Sequence, residues 1–171
     1  MTQKKGILFV EGLDDQHTIF AICKHFNLID SFKDNFDVEI PDSNGKINAK
    51  VIATEKGGID NVLKAMQGFL ATKNIERLGI VIDADEDLNL QWQKVVGILE
   101  KVGYTDLPSN PNPDGTIIKQ DDLPIFGVWI MPDNQTERGF LETFLAFLVD
   151  ENDDSWQKAK SCVANLTNRP F

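Results

Sequence analysis

The sequence contains few cysteines, few basic residues and no long hydrophobic run. Its two cysteines, Cys23 and Cys162, have neither metal-site spacing nor the number that a disulfide framework needs, which favours an intracellular protein. The first strongly apolar segment, residues 7–10, is too short for a signal peptide, and no run approaches the length of a transmembrane helix. We therefore predict a cytoplasmic protein that does not enter a membrane.

Basic residues are outnumbered by acidic ones, 17 to 27, and the net charge is -10. A protein that binds nucleic acid by neutralising many phosphates needs a basic face, and this composition does not fit that class. It fits a protein whose carboxylates hold a cation, or one that receives its substrate from a partner. With 42% hydrophobic residues in 171, the chain can form one domain with a sizeable core.

Strand-like and helix-like segments alternate along most of the chain. Continuous apolar runs, period-two alternation and short β-rich stretches predict strands at residues 7–10, 36–40, 49–53 and 78–82. Helical spacing of apolar residues predicts helices near residues 19–26, 59–70 and 93–102. Alternation of this kind is typical of a compact α/β fold with a largely parallel sheet.

The last third of the sequence departs from this alternation. Residues 105–124 contain four prolines and predict an irregular surface loop, with a lid as one interpretation. A strand and two helices are predicted after it, at residues 125–131, 139–149 and about 156–166. We divide the chain into a core, residues 1–105, and a loop, strand and helices at 106–171 that complete the same domain.

The segment GIVIDADED at residues 79–87 leads a buried strand into a cluster of acids. If the strand continues, Asp83 and Asp85 share a face, because alternate side chains of a strand point the same way. Two carboxylates about 6 Å apart repel by roughly 2–3 kcal/mol at an effective dielectric constant near 20. A divalent cation such as Mg²⁺ or Mn²⁺ would relieve this repulsion. The alternative is an acidic turn that begins the next helix.

A further acid ends the first strand. Glu11 and Gly12 follow the run at 7–10, and ligands of parallel α/β sheets bind at the C-terminal ends of strands. If the two strands are neighbours, Glu11 converges with Asp83 and Asp85 on one edge, which predicts a metal site. The alternative for Glu11 is a cap on the following helix, a role that Asp14 or Asp15 could fill instead.

These two motifs, VEGLDD at residues 10–15 and IDAD at 82–85, resemble the Toprim domain of topoisomerases, bacterial primases, recombination mediators and overcoming-lysogenization-defect (OLD) nucleases. The later segment GVWIMPDNQTERGFLETFL is similar to small stand-alone Toprim-like proteins allied to the OLD nucleases. The resemblance covers residues 5–105. It implies a Rossmann-like domain with about four mainly parallel strands flanked by helices, followed by C-terminal additions.

The resemblance implies a role for each matched residue. Glu11 would be a general acid or base, or a metal ligand, Asp83 and Asp85 would coordinate Mg²⁺ or Mn²⁺, and Gly12 would allow the tight turn beside them. The implied activity is metal-dependent phosphodiester hydrolysis of DNA or RNA, in which the metal neutralises phosphate charge and activates water. The implied partners are an ATPase, as in OLD systems, and a second copy of the chain in a homodimer.

The sequence departs from the Toprim pattern at two places. Many Toprim domains have a glycine shortly after the second aspartate, where this chain has Glu86 and Asp87. Topoisomerases also need a nucleophilic tyrosine, and Tyr104, the one tyrosine of the chain, has no activating neighbour in sequence. We interpret Tyr104 as structural, which argues against a topoisomerase.

Five further acids are candidate metal ligands, namely Asp15, Glu86, Asp87, Asp133 and Glu142. Each has a simpler alternative: a helix cap for Asp15, helix-start residues for Glu86 and Asp87, a turn for Asp133, and a solvent-facing position for Glu142. Lys56-Gly57-Gly58 could cradle an anion at a helix start, but it lacks the full pattern of a nucleotide P-loop.

Two other functions remain open at this point. A non-catalytic interaction module that binds a metal or nucleotide would account for the missing glycine and the acidic charge. A metal-dependent glycosyltransferase also ends a buried strand in Asp-x-Asp, where it binds Mn²⁺ and a nucleotide-sugar diphosphate. That third function does not account for Glu11 and Gly12.

Overall fold

Apolar runs of the sequence become the strands of one sheet in the structure, a computed structural model that describes residues 5–28, 36–42, 45–54, 56–71 and 75–165. Within these residues the strands are β1 (Lys5–Val10), β2 (Asp37–Asp42), β3 (Gly45–Ala53), β4 (Arg77–Asp83), β5 (Thr116–Ile118) and β6 (Ile125–Met131). The helices are α1 (Leu13–His25), α2 (Ile59–Leu70), α3 (Leu88–Val102), α4 (Leu141–Phe147) and α5 (Asp154–Ala164).

The strand order across the sheet is β2-β3-β1-β4-β6-β5. The four inner strands, β3, β1, β4 and β6, pair in parallel, whereas β2 and β5 pair antiparallel at the two edges. The predicted Rossmann-like α/β fold with about four parallel strands is therefore confirmed. Since β1 and β4 are neighbours, the condition on which the predicted acidic edge depended is met.

Helices cover both faces of the sheet because successive strand residues point to opposite sides. On one face, Phe9 and Ile80 pack with Met66 of α2 and Trp92 of α3. On the other face, Val10 and Val81 belong to a smaller cluster that includes Phe20 of α1 and Leu141 of α4. The inner strands are thus buried on both sides, which is why they appear in the sequence as continuous apolar runs.

The prediction for residues 105–124 is wrong in part, because this segment contains β5. Thr116 pairs with Val128 of β6, so the short strand covers an edge that would otherwise leave backbone groups unpaired. The rest of the segment is held to the core, where the Trp92 Nε1 donates to the Pro108 carbonyl oxygen over 3.2 Å. This strand was not predicted because it has only three residues and prolines lie on both sides of it. Its pairing partner, β6, follows it in the sequence.

Tyr104 is a structural residue, as the sequence predicted. Its side chain is 2% exposed, and its hydroxyl donates to the Pro124 carbonyl oxygen over 2.6 Å. Burial raises the pKa of this phenol to about 12, so it is a poor source of a phenolate nucleophile.

Helix α4 is shorter than the apolar pattern suggested. It covers Leu141–Phe147 rather than residues 139–149, and it starts later than predicted because Gly139 is engaged in backbone pairing with Asp85. Helix α5 covers Asp154–Ala164 and contributes no buried residue. In the described part of the chain, no helix is long and apolar enough to cross a membrane.

The two leucines Leu99 and Leu90 of α3 test the packing of the larger core, because their side chains are 0% and 54% exposed. We expect Leu99→Ala to lower the free energy of unfolding by about 2–5 kcal/mol, since it opens a cavity beneath the sheet. Leu90→Ala should cost less than about 1 kcal/mol. Urea denaturation measures both, and equal losses would contradict this packing.

Candidate active site

A hydrogen bond from the backbone of β4 to the Glu11 side chain links the ends of β1 and β4. The register pairs Val10 with Val81, so Glu11 leaves β1 level with the last residues of β4. The Asp83 backbone N–H donates to the Glu11 Oε1 over 2.8 Å. Gly12 follows Glu11 at the N-cap of α1, which turns the chain away from the sheet. Glu11 is therefore held over the C-terminal end of the neighbouring strand.

Asp83 is the most perturbed acid of this region. Its Oδ1 is buried and has no hydrogen-bond partner among the described residues. Burial raises the pKa of Asp83 to about 7, and repulsion from the Glu11, Asp15, Asp85 and Glu142 carboxylates acts in the same direction. A buried oxygen without a partner is uncommon in proteins, and it indicates a place for a ligand, ion or water.

Asp85 does not lie on a continuation of the strand, so the predicted reason for its position is wrong. Strand β4 ends at Asp83, and Asp85 has a φ of 52°, in the left-handed region. Its backbone exchanges two hydrogen bonds of 3.0 Å with Gly139. A Cβ on Gly139 would lie 2.5 Å from the Pro132 Cδ, so this pairing needs glycine. The turn nevertheless keeps Asp85 beside Asp83.

The Asp85 side chain is oriented by a glutamine that the sequence analysis missed. The Gln91 Nε2 donates to the Asp85 Oδ2 over 2.7 Å, while the buried Gln91 Oε1 has no partner among the described residues. Gln91 lies on the buried side of α3 between Leu88 and Trp92. The sequence did contain an indication of this role, because Gln91 is a polar residue within the apolar stripe of α3.

Glu11 and Asp15 are also less acidic than usual. Burial is the largest influence on both and raises the pKa of each carboxyl. Asp15 is 9% exposed, and its Oδ2 accepts the Gly12 N–H over 2.9 Å, so it caps the start of α1. For Glu11, the Asp85 and Asp15 carboxylates add to the rise, whereas Lys94 opposes it.

Glu142 joins these acids from the other end of the chain. It lies in the first turn of α4, is exposed, and contributes to the raised pKa of both Asp83 and Asp15. The structure therefore brings together five of the predicted site residues. We call this group the acidic edge: Glu11, Asp15, Asp83, Asp85 and Glu142.

Three other candidate acids have structural partners. Glu86 forms an ion pair with Arg138, and Asp87 caps α3 by accepting the Leu90 N–H over 3.0 Å. Asp133 closes a turn by accepting the backbone N–H groups of Gln135 and Thr136. Although partial burial acts against it, these hydrogen bonds hold the pKa of Asp133 below its usual value.

The carboxylate oxygens of the acidic edge are the type of donor that a hard cation prefers. Among the described residues, no group of three or more histidine, cysteine, aspartate or glutamate side chains is arranged to hold a metal ion. Mg²⁺ is commonly bound by one or two carboxylates, with waters and substrate phosphates completing its shell. The unpartnered Asp83 Oδ1 with Asp85 beside it meets that smaller requirement.

A known family matches nearly the whole chain. The family described as "Protein of unknown function (DUF3226)" matches residues 5–171. No curated protein matches the chain significantly. The match therefore supplies a family but no activity.

The raised pKa of Asp83 predicts how stability depends on pH without metal. The folded-state pKa, about 7, lies above the ordinary 3.8, so the folded state holds this proton more tightly than the unfolded state. The free energy of unfolding should therefore fall as pH rises from 3.8 to about 7. The raised pKa values of Glu11 and Asp15 act in the same direction.

Asp83→Asn removes the titrating group, and we expect it to flatten this pH dependence and to be more stable than the wild type at pH 7. Asp133→Asn is the control, and its expected effect on stability has the opposite sign. The lowered pKa of Asp133 stabilises the fold at neutral pH, so this variant should be less stable than the wild type at pH 7. Urea denaturation in EDTA across this pH range measures both. A less stable Asp83→Asn variant at pH 7 would contradict the electrostatic account.

Proposed function

Because the chain belongs to the DUF3226 family, whose function is unknown, we propose from the site itself that the protein is a Mg²⁺-dependent phosphodiester hydrolase, a nuclease of the Toprim type. The observation that carries this proposal is the buried, unpartnered Asp83 Oδ1, adjacent to the hydrogen bond between the Asp83 N–H and Glu11. The same hydrogen bond holds Glu11, which follows β1, against Asp83 at the end of the neighbouring parallel strand β4, and this proximity supports the proposal.

The electrostatics of the acidic edge favour a bound cation. Besides burial, every influence that shifts the pKa of Asp83 is repulsion from another carboxylate. Lys94 lowers the pKa of Glu11, but it is not among the groups that shift the pKa of Asp83 or of Asp15. A divalent cation would compensate this repulsion, whereas the alternative is protonation of Asp83 near neutral pH.

The residues divide naturally into two roles. Asp83 and Asp85 would hold Mg²⁺ or Mn²⁺, and the Gln91 amide would keep the Asp85 carboxylate in place. When bound, the metal supplies neutralisation of phosphate charge and a more acidic water. Glu11 would move a proton at its carboxylate, since its raised pKa brings it closer to the value of an effective base at neutral pH.

An ATPase partner and a homodimer belong to the same proposal. The net charge of -10 supports a partner that delivers the substrate, as in OLD systems, because the protein as a whole repels nucleic acid. The exposed free thiol of Cys162 supports a cytoplasmic location, which is also proposed.

The second candidate function is a non-catalytic module that binds a metal or nucleotide. One observation favours it: Glu86 and Asp87 replace the glycine of the Toprim pattern and are used for an ion pair and a helix cap. Metal binding without cleavage of any nucleic acid by the folded protein would support this candidate over the nuclease.

Cleavage of labelled single-stranded and double-stranded DNA and RNA in Mg²⁺ or Mn²⁺ tests the nuclease proposal. We expect Asp83→Asn and Asp85→Asn each to lower the cleavage rate by at least about a hundredfold, because each removes a charged metal ligand. EDTA should abolish cleavage by the wild type.

Glu86→Gln is the matched control, since it removes the same charge one residue from Asp85 but from a side chain paired with Arg138. Its rate should stay close to that of the wild type. Cleavage that persists in Asp83→Asn, or that falls equally in Glu86→Gln, would count against the assignment of these acids.

A further inference from the structure

A groove of about 630 Å³ lies beside the acidic edge, between α2 and the ends of β1 and β3. Its lining includes Thr54, whose Oγ1 donates to the Glu11 carbonyl oxygen over 2.8 Å. The groove therefore begins at the backbone of a proposed catalytic residue. Among the residues that the structure describes, its lining contains Lys56 and Lys64 and no acidic side chain.

A second groove, of about 460 Å³, lies on the other flank of α2, between α2 and α3. Lys64 lines both grooves, and Lys94 and Lys101 line the second one. Lys94 also acts on the pKa of Glu11, so this end too lies within electrostatic reach of the acidic edge. We call this surface the lysine face: Lys56, Lys64, Lys94 and Lys101.

The lysine face is rich in positive charge, although the protein as a whole is negatively charged. Counted over the described part of the chain, the linings of the two grooves contain four lysines and one acid, Asp60, whereas the net charge of the whole sequence is -10. Asp60 lies 3.9 Å from the Lys94 Nζ, and its side chain is 88% exposed, so this pair is a weak one. The lysine face would attract a polyanion, whereas the acidic edge would repel one when no metal is bound.

The first groove also offers an aromatic surface. Phe69 is 37% exposed and lines the groove, and its ring centroid lies 5.2 Å from that of the buried Phe9. Unpaired bases stack on exposed aromatic rings of this kind, and neighbouring lysines then contact the phosphates. The bases of a duplex are stacked on one another and cannot use such a ring.

We propose that the lysine face binds a single strand of nucleic acid, with phosphates at Lys56, Lys64 and Lys94 and a base on Phe69. The proposal rests on the proposed function, for which it names the form of the substrate and its path to the acidic edge. Charge complementarity favours a polyanion at this surface, and the exposed aromatic ring favours a single strand over a duplex.

Fluorescence anisotropy of a labelled single-stranded oligonucleotide in EDTA tests the proposal, because cleavage cannot occur without metal. We expect the triple variant Lys56→Gln/Lys64→Gln/Lys94→Gln to bind at least about tenfold more weakly than the wild type. The slope of log affinity against log salt concentration should fall in magnitude by about 2, since each phosphate contact on a single strand contributes about 0.7.

Two further variants sharpen the test. Asp60→Asn should bind the oligonucleotide more tightly, because it removes the acid of the groove lining and its hold on Lys94. Lys158→Gln on α5, an exposed lysine outside both groove linings, should bind like the wild type. Thermal denaturation checks that each variant is folded.

The outcomes separate this proposal from the nuclease assignment. Binding that depends on the lysines, with no cleavage in Mg²⁺, would uphold the lysine face and count against the nuclease. Cleavage with unchanged binding by the folded triple variant would overturn the lysine face alone. A wild type that binds only duplex, or binds no oligonucleotide, would also overturn the lysine face.

Discussion

The hydrogen bond from the Asp83 N–H to the Glu11 Oε1 fixes the geometry on which the site depends, because it ties together the ends of two adjacent parallel strands. Parallel pairing of β1 with β4 brings both acids to one edge of the sheet. The two hydrophobic layers on either side hold those strands in place and thereby oppose the repulsion at their ends. Burial, and after it this repulsion, raise the pKa of Asp83.

Much of the fold was accessible from the sequence because strands buried on both faces leave continuous apolar runs. The convergence of Glu11 with Asp83 was also predictable, since parallel neighbours end on the same side. The position of Asp85 was not predictable from local periodicity, because it depends on backbone pairing with Gly139, far along the chain. Strand β5 was missed for a similar reason, since three residues between prolines form a strand only when β6 is present.

Composition gave an incomplete account of charge. A net charge of -10 argued against broad phosphate binding, yet four lysines line two grooves that share Lys64. Their sequence spacing gave no sign of this grouping, because α2 and α3 are separated by β4 and meet only on the folded sheet. The acids and lysines together describe a surface that could guide a phosphate toward a cation, which links the two proposals physically.

Calorimetric titration of Mg²⁺ and Mn²⁺ tests most directly whether the acidic edge is a cation site. The account predicts micromolar to millimolar binding by the wild type, with proton release near pH 7 because the Asp83 carboxyl is partly protonated there. Asp83→Asn/Asp85→Asn should lose this binding, and Glu86→Gln should keep it. A folded wild type that binds neither ion, or a double variant that binds as well as the wild type, would contradict the central claim.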